Sequence, residues 1–217
     1  MNTQLLSIIA LENQCLRLDA EGMSMRARIS PEPALLGFLL DGPMHGYDLY
    51  KQVSQQLGAV WRLGMSQMYA IFNLYAAQGW LRTRTLTQGA RPSKKILELT
   101  PTGRKAFEAW LNQPARGLRE FRIDFFLRLY FARAAGAATA QRLIERQIAA
   151  SQKELEMLRS REAAEKEDEF NRLTRSFRIQ QLTTILKWLE HNRSDLIQFK
   201  PPARVAGIQA RQSRRKK

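Results

Sequence analysis

Between Leu49 and Leu97 the sequence contains no aspartate and no glutamate. The same window holds Lys51, Arg62, Arg82, Arg84, Arg91, Lys94 and Lys95. With no carboxylate to repel a polyanion, such a stretch carries the electrostatic footprint of a phosphate binder. The whole chain has a formal charge of +15 and a pI near 10.6, which points to an acidic partner, nucleic acid or anionic lipid. Cysteine is almost missing. Cys15 stands alone, so an intramolecular disulfide is excluded and a reducing, cytoplasmic setting near the nucleoid is expected. His45 and His191 are the only histidines, and neither stands at metal-ligand spacing from another histidine or cysteine. No GxSxG, P-loop or dinucleotide fingerprint occurs, so no catalytic residue, metal or cofactor is expected. No apolar run approaches the roughly 18 residues of a membrane span. Leu5–Leu11 is apolar, but it is short for a secretory signal and has no basic flank before it.

What the chain does contain is organised around Ser66–Gln78, SQMYAIFNLYAAQ. Laid on a helix, Met68, Ile71, Phe72 and Tyr75 make one apolar stripe. The opposite face holds Ser66, Ala70, Asn73 and Ala77, with Gln67 and Tyr69 at its borders. Short side chains on an outer face let a helix approach another surface closely. Before it, Ala34–Leu40 reads as a short helix ended by Asp41-Gly42-Pro43, and Tyr47, Tyr50, Val53 and Leu57 are spaced as the core face of a second helix. After it, Gly79 is the usual C-terminal glycine. Trp80–Thr87 and Lys94–Leu99 read as two strands around the turn Gln88–Ser93, and Thr100-Pro101 opens a fourth helix through Trp110. Helix, helix, helix, two-stranded wing, helix is the order of a winged helix-turn-helix.

The segments GPMHGYDLYKQV, Ser66-Gln67-Met68-Tyr69, Gly79-Trp80-Leu81 and ARPSKKILELTPTGRKAFEAWL resemble the N-terminal domain of PadR-type transcriptional regulators. The resemblance is close over Pro33–Leu111 and looser through the helical second half. Two positions depart from the family pattern. Ala70 stands where a proline usually follows the tyrosine of the third helix, and Ile96-Leu97 stand where the wing strand often carries an aromatic. The resemblance implies a mostly α protein, in which a winged helix-turn-helix domain is followed by long helices that make a dimer.

The division expected is an N-terminal extension over 1–30, a winged domain over 31–113, a helical dimerisation domain over 114–200 and a basic tail over 201–217. In Met1–Ser30 the residues Leu5, Ile8, Ile9, Leu11 and Leu16 could line an amphipathic helix. An upstream extension and a start assigned too early, ahead of Met23 or Met25, both account for Met1–Gly22. From Ala137 to Lys200 there is neither glycine nor proline, so long helices are expected. Ile144, Ile148, Leu155 and Leu158 form one apolar seam. Beyond the solvated run Glu162–Glu169, Phe170, Leu173, Phe177, Leu182, Ile185, Leu186 and Leu189 form a second. Seams this narrow are expected to need a partner chain, which makes Ile144, Ile148, Leu155, Leu158, Leu182, Leu186 and Leu189 the dimerisation residues. Pro201–Lys217 has six basic residues and no acid, the composition of a disordered tail that either holds phosphates loosely or only solubilises the chain.

The expected function is a dimeric, sequence-specific regulator of transcription, a repressor more than an activator, bound to double-stranded DNA at a partly palindromic operator. Ser66, Gln67, Tyr69, Ala70 and Asn73 are the candidate groove contacts, against the plainer alternative of capping and surface polarity. Arg91, Lys94 and Lys95 of the wing are candidate phosphate contacts, against that of a solvated hairpin tip. Tyr47, Tyr50 and the four tryptophans read as packing residues, and His45 as a turn residue. A small aromatic or amphipathic effector, as the resemblance implies, would sit near Phe121, Phe125 and Trp188. Two other classes are weighed: a winged module that binds only proteins, which has no reason to exclude acids over so long a window, and membrane-surface binding by the tail, which lacks bulky apolar residues.

Overall fold

The computed structural model describes residues 33–88, 91–115, 120–162 and 168–201. The expectations for 1–30, for the basic tail and for most of the Glu162–Glu169 run fall outside the described residues. Helix α1 (Ala34–Gly37) is a single turn, shorter than the apolar run suggests. The chain goes on turning through tighter bonds three residues apart, Leu39 N–H to the Leu36 carbonyl at 3.0 Å and Gly42 N–H to that of Leu39 at 3.3 Å. Helix α2 (Gly46–Leu57) buries Leu49, Val53 and Leu57 at helical spacing, with Gln52 beside them. The stripe expected here is therefore rotated. Tyr47 is exposed, with the Lys51 ammonium 4.6 Å above its ring, and Tyr50 is only half-buried. A leucine enters the core at no polar cost, whereas a tyrosine hydroxyl must find a partner or stay wet.

Helix α3 (Met65–Ala77) presents Met68, Ile71, Phe72 and Tyr75 to the core. Strands β2 (Leu81–Gln88) and β3 (Arg91–Leu99) follow as an antiparallel ribbon, running from Leu81 opposite Leu99 to Gln88 opposite Arg91. The ribbon is longer than expected, and the supposed turn residues Arg91–Ser93 belong to β3. An irregularity in register between Leu86 and Gln88 accommodates a strand whose Pro92 has no N–H to donate. A two-residue strand β1 (Met44–His45) pairs with the other side of β3, Met44 opposite Leu97, and is too short for alternation to announce. Helix α4 (Pro101–Leu111) is fixed to the ribbon by Thr100. Its hydroxyl accepts from Gly103 N–H at 3.0 Å and shares its proton between the carbonyls of Gly79 at 2.6 Å and Trp80 at 3.0 Å. Gly103 is required by the same contact, since a Cβ there would stand 2.2 Å from the Trp80 carbonyl oxygen.

Phe121–Phe125 forms one π-helical turn that runs into α5 (Phe126–Ala135). The widened turn stacks Phe121 on Phe125, centroids 4.7 Å apart and planes at 8°. It also carries Asp124, whose carboxylate meets the Arg128 guanidinium at 2.9 Å in a buried ion pair. Arg128 donates to the Gln113 carbonyl at 3.0 Å and lies 5.1 Å over the Trp110 ring. Burial pushes the Asp124 carboxyl up to a pKa of about 6, against the pull of Arg128 and with added repulsion from Glu120. Helix α5 serves two cores. Leu127, Tyr130 and Phe131 pack with the winged part, while Leu129 and Ala132, together with Phe125 of the turn, pack with the helices that follow.

Gly136 ends α5, and α6 (Ala137–Glu162), α7 (Glu169–His191) and α8 (Arg193–Gln198) complete the described chain. Bridges from Glu154 of α6 to Arg178 of α7 at 3.0 Å and from Glu145 of α6 to Arg193 at the start of α8 at 2.6 Å follow the chain as it returns antiparallel to α6. The stripes of α6 and α7 close on each other. Ile144, Leu155, Leu158, Leu182, Leu186 and Leu189 are buried within one chain, and Ile148 is half-buried between two of its clusters. The premise that these seven need a partner chain to cover them does not hold, because a helical hairpin supplies the second stripe itself. The uncovered part of the seam lies at the start of α7, where Phe170, Leu173 and Phe177 are 73%, 60% and 59% exposed. Among the described residues, no helix is long and apolar enough to cross a membrane.

Candidate nucleic-acid interface

The outward face of α3 is centred on Ala70. Ser66, Gln67, Asn73 and Ala77 surround it, all exposed, and Tyr69 stands at the border, 37% exposed, its ring edge-on to Phe72 at 5.8 Å. The fold thus brings the five predicted groove residues onto one helix face, but not all are free for contact. The Gln67 side chain reaches back, its Oε1 accepting from Gly64 N–H at 3.1 Å, so the amide oxygen caps the helix. One residue was missed. Leu74 is 45% exposed, and it follows Ala70 by one helical turn. Its only signal in the sequence was a leucine standing outside the buried stripe. An alkyl group at that position suits the C5-methyl of thymine, as an amide at 73 suits adenine.

The first turn of α2 adjoins this face through Gly46. A Cβ there would come within 3.1 Å of the Tyr69 hydroxyl oxygen and 3.2 Å of its ring, so glycine lets the tyrosine lie flat against the backbone. Tyr47 and Lys51, the exposed stacked pair, stand on the same turn and the next, an exposure that the misjudged stripe of α2 concealed. In the ribbon Arg82, Arg84 and Lys95 are exposed. Arg91 and Lys94 stand opposite Gln88 and Leu86 on β3, and their side chains lie outside the described residues.

Residues 35–109, which hold this whole arrangement, match the transcriptional regulator PadR-like family. The chain carries a PadR-like family domain. Residues 121–196 match a second family description, virulence activator alpha C-term. The chain is 29% identical to the negative transcriptional regulator PadR of Bacillus subtilis over 122 residues, 56% of this chain and 67% of that one. It is 27% identical to a probable transcriptional regulator of Mycobacterium tuberculosis over 81 residues, covering 37% of this chain and 43% of that protein. Among solved structures, Bacillus subtilis PadR in complex with operator DNA is similar at a TM-score of 0.39 and 23% identity, covering 74% of this chain and 96% of that one. The same protein in complex with p-coumaric acid is similar at a TM-score of 0.35 and 22% identity, covering 82% and 99%.

The three residues predicted to line an effector pocket do converge, but in packing. Phe125 is fully buried under Phe121, and Trp188 is half-buried against Phe126 at 5.7 Å. A cavity of about 500 Å³ does open beside them, on the other side of Phe121, between α6, α7 and Pro114-Ala115. Of the three, Phe121 alone lines it. Trp188 and Phe125 face the aromatic cluster instead, because the π-turn stacks the two phenylalanines and directs the second inward.

Proposed function

We propose that the chain is a sequence-specific DNA-binding regulator of transcription, acting as a homodimer and repressing by occupying an operator. The observation that carries this is the bare, acid-free face of α3 around Ala70, with the exposed basic residues of the ribbon beside it. In this reading residues 31–113 bind DNA and residues 114–200 pair the chains. Helix α3 enters the major groove, with Ser66, Tyr69, Asn73 and Leu74 toward base edges. Arg82, Arg84, Arg91, Lys94 and Lys95 hold flanking phosphates and fix the register without reading sequence. Pairing uses the open stripe of Phe170, Leu173 and Phe177, a surface costly to leave in water and self-complementary when two copies meet. The negative sign follows the Bacillus subtilis relative, which is named a negative regulator. A small aromatic effector belongs to the same reading, since a structure of that relative holds p-coumaric acid. A cytoplasmic location follows from the task itself.

The test is electrophoretic mobility on the DNA upstream of the chain's own gene, with random competitor, at two salt concentrations. Retardation that survives competitor supports the reading. Binding lost equally to operator and random DNA, or no binding at low salt, leaves a winged module that works through protein partners.

A further inference from the structure

The chain leaves α4 through Asn112, Gln113, Pro114 and Ala115, and side chains of two other helices hold three of these residues. Asn112 closes α4, its Nδ2 donating to the Glu108 carbonyl at 2.8 Å. Arg146 of α6 then donates to the Asn112 Oδ1 at 3.0 Å and to the Asn112 carbonyl at 3.1 Å. The Gln113 carbonyl accepts from Arg128 of α5 at 3.0 Å. Pro114 has no N–H to hold. Ala115 is buried, and a buried peptide group needs partners for both its N–H and its carbonyl. Gln147 of α6 supplies both, Oε1 accepting from the N–H at 2.7 Å and Nε2 donating to the carbonyl at 3.3 Å. The same Nε2 donates to Ser151 Oγ at 3.3 Å, which fixes the way round the amide stands.

These bonds form a second hold on the winged part. It already shares α5 with the hairpin, but packing along one helix opposes rotation about that helix only through side-chain contacts. A hold set away from that line, on α6, opposes the rotation directly. From this geometry we propose that Arg146 and Gln147 are positioning residues. They fix the angle of the winged part on the hairpin, and through it the spacing between half-sites that a paired molecule accepts. The spacing rests on the proposed function, whereas the angle does not. One base pair more or less moves a half-site by roughly 3.4 Å and turns it by about 35°. A mount that pivots tolerates such a change, and a fixed one rejects it. The affinity of one winged domain for one half-site is untouched, because the bonds involve neither α3 nor the ribbon.

The test uses the full-length protein and a duplex that it selects from random DNA. That duplex is remade with one base pair added or removed between its halves, and with one half alone. The wild type should discriminate against the altered spacings by at least about tenfold. Arg146→Ala with Gln147→Met should narrow this to about threefold or less and leave the single half unaffected. Arg146→Ala alone, a surface change that spares the buried amide, should narrow it part-way, and it decides the matter if the double variant does not fold. Arg146→Lys, which can still donate to the Asn112 carbonyl, should restore it. Full discrimination in the deciding variant, or an equal loss on the single half, overturns the inference. Without DNA, spin labels are placed at Arg104→Cys of α4 and Glu156→Cys of α6, both exposed positions, in a Cys15→Ser chain diluted with unlabelled chain. They should report a narrow range of distances that the same variants broaden, and an unchanged width overturns the inference. If no duplex is selected, the proposed function fails, and the distances alone decide whether Arg146 and Gln147 set the angle.

Discussion

The surface predicted to pair two chains can be separated by mutation from the surface that merely closes one. The perturbation is Phe170→Ser with Phe177→Ser, on the open stripe of α7. Fully burying a phenylalanine contributes about 1.5–3 kcal/mol. Here 73% and 59% of the two side chains are still exposed, so covering them contributes roughly 2–4 kcal/mol per chain by the same area scale. A two-fold interface uses the patch twice, which makes roughly 4–8 kcal/mol for the dimer. Area overstates affinity, because ordering and desolvation are subtracted from it. Even the lower figure is about three orders of magnitude in the dimer dissociation constant. Leu182→Ala is the control. Leu182 is 2% exposed and packed between α6 and α7 of one chain, so its truncation should cost about 2–5 kcal/mol of folding stability. Sedimentation velocity over a wide concentration range, with thermal unfolding of each variant, reads both quantities. The double variant should be a folded monomer where the wild type is a dimer. The Leu182 variant should melt earlier and still pair while folded. A double variant that dimerises like the wild type refutes the assignment, as would a Leu182→Ala chain that falls apart into monomers with an unchanged melting temperature.

Replacing Lys94 and Lys95 with alanine should weaken operator and random DNA alike and flatten the salt slope by about 2 units per domain, measured by titration across ionic strength. Asn73→Ala should lose on the order of 1–3 kcal/mol on the operator and little on random DNA, while Ala70→Leu should fold normally and fail on the operator because its bulk holds α3 out of the groove. Gly46→Ala places a methyl against the Tyr69 ring and should reduce operator affinity with little change in melting temperature. A wild-type operator affinity would show that Tyr69 makes no contact that depends on its seat. Asp124 predicts a pH effect of definite sign. Its folded pKa of about 6 lies above the ordinary 3.8, so the folded chain holds a proton that the unfolded chain has lost, and stability falls as pH rises from about 4 to about 6. The fall is on the order of 3 kcal/mol, and Asp124→Asn should flatten it in denaturant titrations.

The order of the elements in the winged part was legible because each had a strong local signature. Gly79 marked the end of α3, Thr100-Pro101 marked the start of α4, and the acid-free window drew attention to the face between them. Errors came where two signals of equal local strength competed. Tyr47, Tyr50, Val53 and Leu57 make as good a helical stripe as Leu49, Val53 and Leu57, and only the surrounding core decides between hydroxyl-bearing rings and a leucine. Pro92 read as a turn because a proline inside a strand is admissible only when register shifts nearby, and register is not local. The seams of α6 and α7 were seen, yet their partners were not, since periodicity tells that a face is buried and not by whom. The cavity left no trace in the sequence at all. Its lining residues come from three separated segments, and Gln147 and Ser151 look like ordinary helix polarity until the fold sets them against Ala115.

The double duty of α5 has a mechanical consequence. A flexible tether between the winged part and the helical hairpin would let either tilt without disturbing the other. Here a ten-residue rod, about 15 Å long by helical rise, is gripped on one side by Phe38, Phe107 and Trp110 through Phe131 and on the other by the core of α6 and α7 through Leu129 and Ala132. Torque applied to the hairpin therefore reaches the winged part with no slack. In a paired molecule, a few degrees of twist at the joint would swing the distant ends of both wings through a larger arc, and the tolerance for such error is set by the pitch of DNA.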